Sequence, residues 1–386
     1  MDNLKQSTNP WESRKEALRQ HALELGFALA RFAPVQPPPH AKQLQPWLEQ
    51  GCHGEMAWLA RHPEQRSDPG HWITRAGVIL VLGWNMAPAL RNAAPDHGVL
   101  ASYACRADYH KHLMDKLRAL LEWLEHSLGQ SVEHRLFVDT GPILEKPLAV
   151  AAGCGWQGKN ALLVNRRFGC WLHLAELFLA LPMTPDAMTP DHCGSCDRCL
   201  KACPTDALDT PYRLDATRCL AYFTVESRGP IPLRYRSALG GRIFGCDACI
   251  VACPWNRFAP VTTLAEQVET RPLAEWARMD GPTFQAIFRA TPVARVGLTR
   301  FLRNVATALG NWHHPEALPP LAHLLRHSAP LVRAHAVWGV HQQSLHTPQE
   351  ACARELLRAA AQRETVQEVL TELAYARQSA PDSSWP

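Results

Sequence analysis

The sequence predicts an α+β protein of three consecutive parts: an α/β domain over residues 1–185, a cysteine-rich module over 186–258 and an all-α repeat tail over 259–386. Three observations support this division. In the first part, apolar runs bounded by glycines, such as Gly77–Trp84, alternate with amphipathic helical patterns. The second part holds eight of the thirteen cysteines. From Leu298 onward, short helical patterns are separated by prolines.

The first part is predicted to begin with a helix and a strand. Apolar residues at helical spacing run from Trp11 to Leu25, and Phe27 to Val35 has the pattern of a strand. The unbroken apolar run Gly77–Trp84 predicts a strand that is buried on both faces. The other predicted elements are a helix carrying Trp47 and Leu48, a helix over Asp108–Leu128, a strand over Glu133–Asp139, a helix over Ile143–Ala152, a strand over Ala161–Asn165, and a strand or helix over Trp171–Leu181.

The cysteine-rich module predicts two iron–sulfur clusters. Cys193 to Pro204 has the spacing C-x2-C-x2-C-x3-C-P, with which bacterial ferredoxins hold [4Fe–4S] clusters, the fourth cysteine serving the other cluster. A second run, ending in Cys253, has Ile243 in place of its first cysteine, and Cys219 is available as a substitute. Crossing the fourth ligands gives two sets of four, Cys193, Cys196, Cys199 and Cys253 in one and Cys203, Cys219, Cys246 and Cys249 in the other.

Two other uses of these cysteines fit less well. A zinc site requires four ligands in two pairs rather than triplets that end in Cys-Pro, and disulfides require a secretory context. The clusters are therefore the preferred interpretation.

The turn Val138-Asp139-Thr140-Gly141-Pro142 is a candidate catalytic site. A carboxylate at the end of a buried strand is expected to have a raised pKa, because desolvation disfavours its charged form, and it could then donate a proton near neutral pH. Asp-Thr-Gly-Pro is also what a turn or a helix N-cap requires, and taken alone it favours that structural role. The glycine-rich segment Gly153–Asn160 could approach a ligand closely through its backbone, but a plain turn fits its spacing equally well.

A basic loop and the helical tail are candidate nucleic-acid contacts. In the loop after Glu226, Tyr235 is expected to be free to stack on a base, and a solvated surface loop is an equally good interpretation. The tail, in which Pro330–Gly339 resembles the second helix of a HEAT-type repeat, has four arginines and one acid between Arg300 and Leu345. Six histidines of this stretch are expected at the surface: His313, His314, His323, His327, His335 and His341. The four arginines of the loop itself are Arg228, Arg234, Arg236 and Arg242.

Composition sets limits on the other classes. The net charge of +4 and the pI near 8.4 are too small to argue for nucleic-acid binding by themselves. No apolar run approaches the roughly 18 residues of a membrane span, and Met1–Lys5 lacks the apolar core of a secretory signal. Thirteen cysteines then fit a reducing cytoplasm, where thiols bind metals. Residues Ser379–Pro386 are expected to be disordered.

Several motifs together resemble one enzyme family. They are, in chain order, Ser102-Tyr-Ala, Asp108-Tyr-His110, Asp139-Thr-Gly-Pro, Gly155-Trp-Gln-Gly-Lys-Asn160, the Cys193 run, Cys219-Leu-Ala-Tyr-Phe-Thr-Val-Glu226 and Phe244-Gly-Cys-Asp-Ala-Cys-Ile-Val-Ala-Cys-Pro-Trp-Asn256. This combination is similar to the epoxyqueuosine reductases. The resemblance implies a cobalamin-dependent oxidoreductase that converts epoxyqueuosine to queuosine at the wobble position of tRNA, the last step of queuosine biosynthesis. It also implies a cobalamin-binding N-terminal domain related to that of reductive dehalogenases, followed by a ferredoxin-like two-cluster module and HEAT-like repeats.

The resemblance also implies residue roles and partners. The proton donor of the family corresponds to Asp139, and the matching positions suggest cobalamin contacts from Tyr103, Asp139, Asn160 and Thr224. No Asp-x-His-x-x-Gly motif is present, since Leu113 stands where the glycine would be, so we expect no histidine ligand to cobalt and an ordinary helical role for His110. The expected partners are tRNA and an electron donor of the flavodoxin or ferredoxin type, or a chemical reductant in its place, and a monomer is expected.

The implied reaction needs such cofactors, because opening an epoxide to an alkene consumes two electrons and two protons. Side chains cannot supply the electrons. Two alternatives remain at this stage. A corrinoid reductive dehalogenase is the nearest enzyme class, but it usually carries an export signal and has no use for a basic repeat tail. A plain electron-transfer ferredoxin with a scaffold tail would leave the long N-terminal part without a role.

Overall fold

The computed structural model of the chain describes residues 10–89 and 93–378. Its first part contains five helices and seven strands within these residues. In chain order they are α1 (Pro10–Glu24), β1 (Leu29–Pro34), α2 (Leu44–Glu49), α3 (Pro63–Ser67), β2 (Val78–Asn85), β3 (Val99–Leu100), α4 (Tyr109–Leu128), β4 (His134–Phe137), α5 (Glu145–Ala151), β5 (Trp156–Gln157), β6 (Leu163–Val164) and β7 (Leu172–Leu179).

The main sheet has the strand order β1-β2-β7-β4, and every neighbouring pair is antiparallel. All residues of β2 except Asn85 are buried, which confirms the strand predicted from the apolar run. Such runs are typical of parallel sheets. Here they occur in an antiparallel sheet because helices cover both faces: α1 and α4 pack on one face through Leu18 and Leu117, and α5 packs on the other through Leu148.

The segment around Asp139 differs slightly from its prediction. Strand β4 ends at Phe137, two residues before Asp139, and α5 begins only at Glu145. Asp139 is therefore part of a turn and not a helix N-cap. Its φ of 57° lies in the left-handed region, which aspartate tolerates better than most residues.

The cysteine-rich module contains short elements joined by loops. Strand β8 pairs in parallel with β3, so this two-stranded sheet joins the module to the first part of the chain. The backbone N–H and hydroxyl of Ser102 both donate to Asp247 Oδ2 at 2.7 Å, which strengthens the same junction. The elements of the module are α6 (Arg198–Lys201), a π-helical turn (Tyr222–Glu226), α7 (Leu233–Leu239), β8 (Arg242–Phe244) and α8 (Ala248–Val251).

The tail is helical, as predicted, and α13 lies at its centre against α11, α12, α14 and α15. Glycines allow this packing: a Cβ on Gly339 would lie 3.0 Å from the backbone oxygen of Ala306, so α11 and α13 approach more closely than larger residues would permit. Two further helices, α9 and α10, were not predicted. The tail helices are α9 (Leu273–Trp276), α10 (Gly281–Phe288), α11 (Gly297–Asn311), α12 (Leu318–Leu324), α13 (Pro330–His346), α14 (Glu350–Arg363) and α15 (Gln367–Gln378).

Several polar residues of the tail are structural, which corrects their predicted exposure. His335 and His341 are buried, and His335 Nε2 accepts from the backbone N–H of Ile231 at 3.0 Å. Burial lowers the pKa of His335 well below its usual value, so it is neutral. Arg333 pairs with Glu364, whose pKa falls to about 2 because of the arginine. Some of the basic side chains of the tail are thus buried or paired within the protein and add no positive charge to its surface.

Arg303 on α11 joins the tail to the cysteine-rich module. Its side chain is fully buried and donates to the backbone oxygens of Phe223, Ser227 and Gly229. Burial lowers its pKa to about 9. The arginine therefore supplies hydrogen-bond donors to a buried loop that otherwise lacks them.

We expect Arg303→Met to be strongly destabilising. Each buried carbonyl that loses its donor costs about 1–3 kcal/mol, so the loss is about 3 kcal/mol or more. Thermal melts of the cluster-loaded protein measure it as a lower midpoint. Arg326→Met, at an exposed arginine of the same tail, is the matched control and should change stability by less than about 0.5 kcal/mol. Equal melting points for the two variants would contradict the joining role.

None of the helices within residues 10–89 and 93–378 is long and apolar enough to cross a membrane. The expectations for Met1–Lys5 and for Ser379–Pro386 concern residues outside the described ranges.

Candidate active site

A cavity of about 810 Å³ lies between the first part of the chain and the cysteine-rich module. Tyr103 and Asp139 line it from the first part, and Val225 and Phe244 line it from the module. Helix α11 and the turn before it complete the wall. The cavity also has an unusual number of arginines: Arg61, Arg66, Arg228, Arg295 and Arg300.

Asp139 is held by groups from two helices. Tyr109 Oη donates to Asp139 Oδ2 at 3.0 Å, and His110 Nε2 lies 3.0 Å from the same oxygen. Both residues belong to the first turn of α4. The backbone N–H of Asp139 donates to Glu145 Oε1 at the start of α5. The carboxylate is thus oriented toward the cavity by contacts that are distant in sequence.

The pKa of Asp139 is lowered, whereas the sequence predicts that it is raised. The largest cause is the hydrogen bond from His110, which outweighs desolvation. In turn, Asp108 and Asp139 raise the pKa of His110 above its usual value, despite burial. Both shifts favour the charged forms, an imidazolium and a carboxylate, with one proton between the two groups.

His110 is the main residue that the sequence interpretation missed, since an ordinary helical role was expected. Its Nδ1 lies 2.5 Å from Asp108 Oδ1 while its Nε2 faces Asp139. Arg295 Nη2 also lies 3.1 and 3.0 Å from the two ring nitrogens. The expectation of no histidine ligand to cobalt stays a prediction. The spacing Asp108-Tyr-His110 was visible in the sequence, but its proximity to Asp139 was not.

A buried carboxyl pair lies behind the Asp139 turn. Glu176 on β7 is fully buried and faces Glu145. Burial raises the pKa of Glu145 to about 7 and raises the pKa of Glu176 well above its usual value, so burial favours the neutral form of both carboxyls. Glu145, which accepts from the Asp139 backbone N–H, connects this pair to the Asp139 turn.

Of the predicted cobalamin contacts, the structure places Tyr103 and Asp139 on the cavity wall. Thr224 is fully buried, donates to Leu220 O at 2.8 Å and accepts from the Gly245 N–H. Asn160 is also buried, and its amide donates to Cys170 Sγ. The side chains of Thr224 and Asn160 therefore contact protein in this structure, and their role as cofactor contacts stays a prediction.

The four arginines of the basic loop have different environments. Arg228 lines the cavity, and exposed Arg234 lies over the Tyr235 ring at 4.8 Å. Arg242 is half-buried and donates to Leu239 O at 3.0 Å.

The predictions for Arg236 and Tyr235 as nucleic-acid contacts are wrong. Arg236 is buried, and its Nη1 lies 2.9 Å from Glu372 Oε2 on α15. Tyr235 is buried against Phe223, with ring centroids 5.1 Å apart, so it cannot stack on a base. Arg236 lies under the tail helices, whereas Tyr235 lies in an apolar cluster of the module itself.

The two predicted sets of cluster ligands stay a prediction, and the neighbours of two cysteines, Cys199 and Cys249, bear on it. The thiol of Cys199 has its pKa raised to about 11 by burial and by Cys253 and Cys193, which are close enough to repel its thiolate. Cys193, another member of this set, accepts a hydrogen bond from Trp156 Nε1 at 3.4 Å. Cys253, from the second run, thus lies with the cysteines of the first.

The second set is deeper in the protein. Burial raises the pKa of Cys249, and the thiolates of Cys219, Cys246 and Cys203 add to the shift. The N–H of Ala207 donates to Cys203 Sγ at 3.2 Å. A buried thiol with a raised pKa becomes a thiolate ligand only when the positive charge of iron stabilises its ionised form. Four such thiols suit a cubane cluster.

Two further observations concern the metal chemistry. Across residues 10–89 and 93–378, no three His, Cys, Asp or Glu side chains are close enough to hold a single metal ion. Cys170 was not predicted as part of the site, yet its thiol hydrogen-bonds with Cys253 and accepts from Asn160 at 3.6 Å.

Three family models match the chain. One, a 4Fe-4S double cluster binding domain, covers residues 192–256. One for the epoxyqueuosine reductase QueG (DUF1730) covers residues 66–140, and one for HEAT repeats covers residues 299–376. The first confirms the double-cluster module, and the third confirms the repeats of the tail.

Relatives over most of the chain are epoxyqueuosine reductases. The enzyme of Pseudomonas aeruginosa is 38% identical over 341 residues, which cover 85% of this chain and 94% of the relative. This chain belongs to the epoxyqueuosine reductase family. The Salmonella typhimurium enzyme is 37% identical and covers 84% of this chain and 87% of its own length.

Solved structures of the family have the same fold. A crystal structure of an epoxyqueuosine reductase with an epoxyqueuosine-modified tRNA-Tyr stem loop superposes with a TM-score of 0.85 at 24% identity, covering 95% of this chain and 98% of that one. The three-part α+β fold predicted from the sequence is therefore confirmed. Family membership likewise supports the predicted cofactors, the two [4Fe–4S] clusters through the matching domain and cobalamin through the family.

The lining of the cavity suits the flat corrin ring of a cobalamin. Tyr103 from the first part and Phe244 from the cluster module present aromatic surface to a flat macrocycle. Together with the Asp139 turn, these residues would hold the cofactor between the proton donor and the source of electrons.

Proposed function

We propose that this chain reduces epoxyqueuosine to queuosine in the anticodon of tRNA, as a cobalamin-dependent oxidoreductase. The observation that carries the proposal is the cavity that joins the Asp139 turn, the cluster module and five arginines. A family structure that contains an epoxyqueuosine-modified tRNA stem loop supports the same substrate. The reaction converts the epoxide to an alkene and releases its oxygen as water, which requires two electrons and two protons.

The three parts have separate roles in this proposal. Residues 1–185 bind cobalamin and carry the acid, residues 186–258 hold the clusters, and residues 259–386 support tRNA binding. When bound, cobalamin and the two clusters supply the electrons, which side chains cannot. The chain works as a monomer in the reducing cytoplasm, with an external flavodoxin- or ferredoxin-type electron donor.

The protein itself supplies the first of the two protons, and the second comes from solvent, which converts the released hydroxide to water. In the resting site the proton lies between His110 Nε2 and Asp139 Oδ2, which are 3.0 Å apart. Binding of the modified nucleoside excludes water from the carboxylate, and desolvation raises the pKa of Asp139. The proton then moves from His110 to Asp139, and Asp139 donates it to the departing oxygen. Tyr109 keeps the carboxylate oriented throughout.

The arginine wall suits an RNA backbone. Asp139 and Glu226 are the acids on the cavity wall, opposite five arginines. Arg66 is buried, and its Nε has no hydrogen-bond partner among the described residues. A bound phosphate would supply that partner. Arg228 and Arg300 belong to the same wall, and Arg234 and Arg242 extend the basic surface. A dehalogenase acting on small neutral molecules would gain nothing from these charges.

An anaerobic turnover tests the function. Protein with reconstituted clusters and cobalamin is incubated with a chemical reductant and a stem loop bearing epoxyqueuosine, and the nucleosides are identified by mass spectrometry. We expect the loss of one oxygen mass, dependent on cobalamin. If fully loaded protein leaves the epoxide intact but removes halogen from small organic halides, the proposal is wrong and the dehalogenase alternative holds.

A further inference from the structure

An exposed apolar surface lies beside the first set of cluster cysteines. Its centre consists of Val251, Phe258 and Val261, which are 48%, 49% and 58% exposed. We call it the Phe258 face. Val251 is on helix α8, which packs against α6. Helix α6 carries two cations, Arg198 and Lys201.

Aromatic rings connect this face to a cluster ligand. The ring of Phe258 lies 5.9 Å from that of Trp255, and Trp255 lies 5.2 Å from Trp156. Trp156 in turn donates through Nε1 to Cys193 Sγ at 3.4 Å. The distance from the surface to the first cluster is therefore spanned by contacting side chains.

The rim of the face is basic. Arg257 lies over the Phe258 ring at 4.4 Å, and Arg166 lies 2.8 Å from His192, next to Cys193. Segments 156–170, 191–204 and 250–261 together contain six lysines and arginines and two acids. Both acids have partners within the protein: Asp191 accepts from Tyr212 at 2.6 Å, and Asp197 pairs with Lys201 at 2.8 Å.

The second set of cysteines offers no comparable access. Cys249 and Cys219 are deep in the module, where burial is the largest cause of their raised pKa values. Phe244, at the end of β8 in the module, lines the reaction cavity, whereas none of the residues of the Phe258 face does. Electrons that come from outside therefore reach the first set more easily than the second.

We propose that the Phe258 face is the docking surface of a small, acidic, one-electron carrier protein that reduces the cluster held by Cys193. This inference rests on the proposed function, since the reaction consumes electrons that the chain does not generate. Each docking event oxidises the carrier by one electron and reduces the cluster by one, so two events supply one turnover. An apolar centre with a cationic rim fits a carrier whose redox group is surrounded by carboxylates.

The test measures cluster reduction by stopped-flow absorbance, with loaded protein and an acidic flavodoxin in its fully reduced form as the probe. The double variant Arg166→Glu, Arg257→Glu should lower the second-order rate constant by about 10- to 100-fold at low ionic strength, and by less at high salt. Arg118→Glu, at an exposed arginine of α4, is the matched control and should have no effect. Phe258→Ser should slow reduction at every salt concentration.

Reduction of the clusters by dithionite should be equal in all variants, which shows that the clusters are intact. Because no tRNA is present, the result is independent of whether the chain acts on epoxyqueuosine. Unchanged reduction by the flavodoxin in the double variant would overturn the docking surface. A stem-loop affinity that falls in the double variant while the flavodoxin rate is unchanged would instead make this face part of the RNA-binding surface.

Discussion

Asp139→Asn is expected to reduce the rate of epoxyqueuosine reduction by about 10²–10⁴-fold, the usual contribution of a positioned acid. An amide of the same shape keeps the hydrogen bond from Tyr109 but cannot pass a proton from His110 to the substrate. Single-turnover measurements with saturating stem loop isolate this step. The cobalamin spectrum, iron content and stem-loop affinity should remain close to those of the parent.

Asp115→Asn is the matched control for this variant. Asp115 is on α4, as His110 is, but its carboxylate is exposed and pairs with Lys111 and Arg118 on the surface. It should leave the rate unchanged. Full activity of Asp139→Asn would show that this aspartate has only a structural role in the turn, the role that the sequence pattern alone favours.

The pH profile should depend on His110. Because its pKa is raised, the imidazolium persists above the usual histidine value of about 6.5. Activity is therefore fully present at low pH and is lost as pH rises through the raised pKa of His110. His110→Gln removes this proton store and should both lower the rate and abolish that limb of the profile. An unchanged alkaline limb in the variant would mean that another group supplies the proton.

Cys253→Ala is the second change with a large expected effect. Losing one ligand of a [4Fe–4S] cluster should lower iron from about eight to about four per chain and abolish turnover. Cys170→Ala is the matched control, because its thiol hydrogen-bonds with Cys253 yet is not among the eight predicted ligands. It should retain all the iron.

The same variant tests the crossed assignment. If Cys253 serves the cluster of Cys193, the remaining paramagnetic signal of Cys253→Ala should match that of Cys193→Ala and differ from that of Cys246→Ala. A match with Cys246→Ala would place each run on its own cluster. Loss of iron in Cys170→Ala would make Cys170 a ligand.

What the sequence alone determined about this protein is local or depends on short spacing. The cysteine intervals specified the clusters, since a cubane needs thiolates on one tight loop. The period of apolar residues specified α4, the buried strand β2 and the tail helices, because each element presents its own face to the core. The Asp139 turn was found for the same reason, and the family motifs added its proposed role.

The tertiary structure alone decided which charges are free and which protons are held. Arg236 and Arg303 look like surface cations in the sequence, but α15 and the module loop bury them. Asp139 was expected to be a neutral acid, and it is a carboxylate because His110, far away in sequence, lies 3.0 Å from it. A pKa and the exposure of an arginine depend on neighbours contributed by other segments. Those neighbours are known only once the chain has folded.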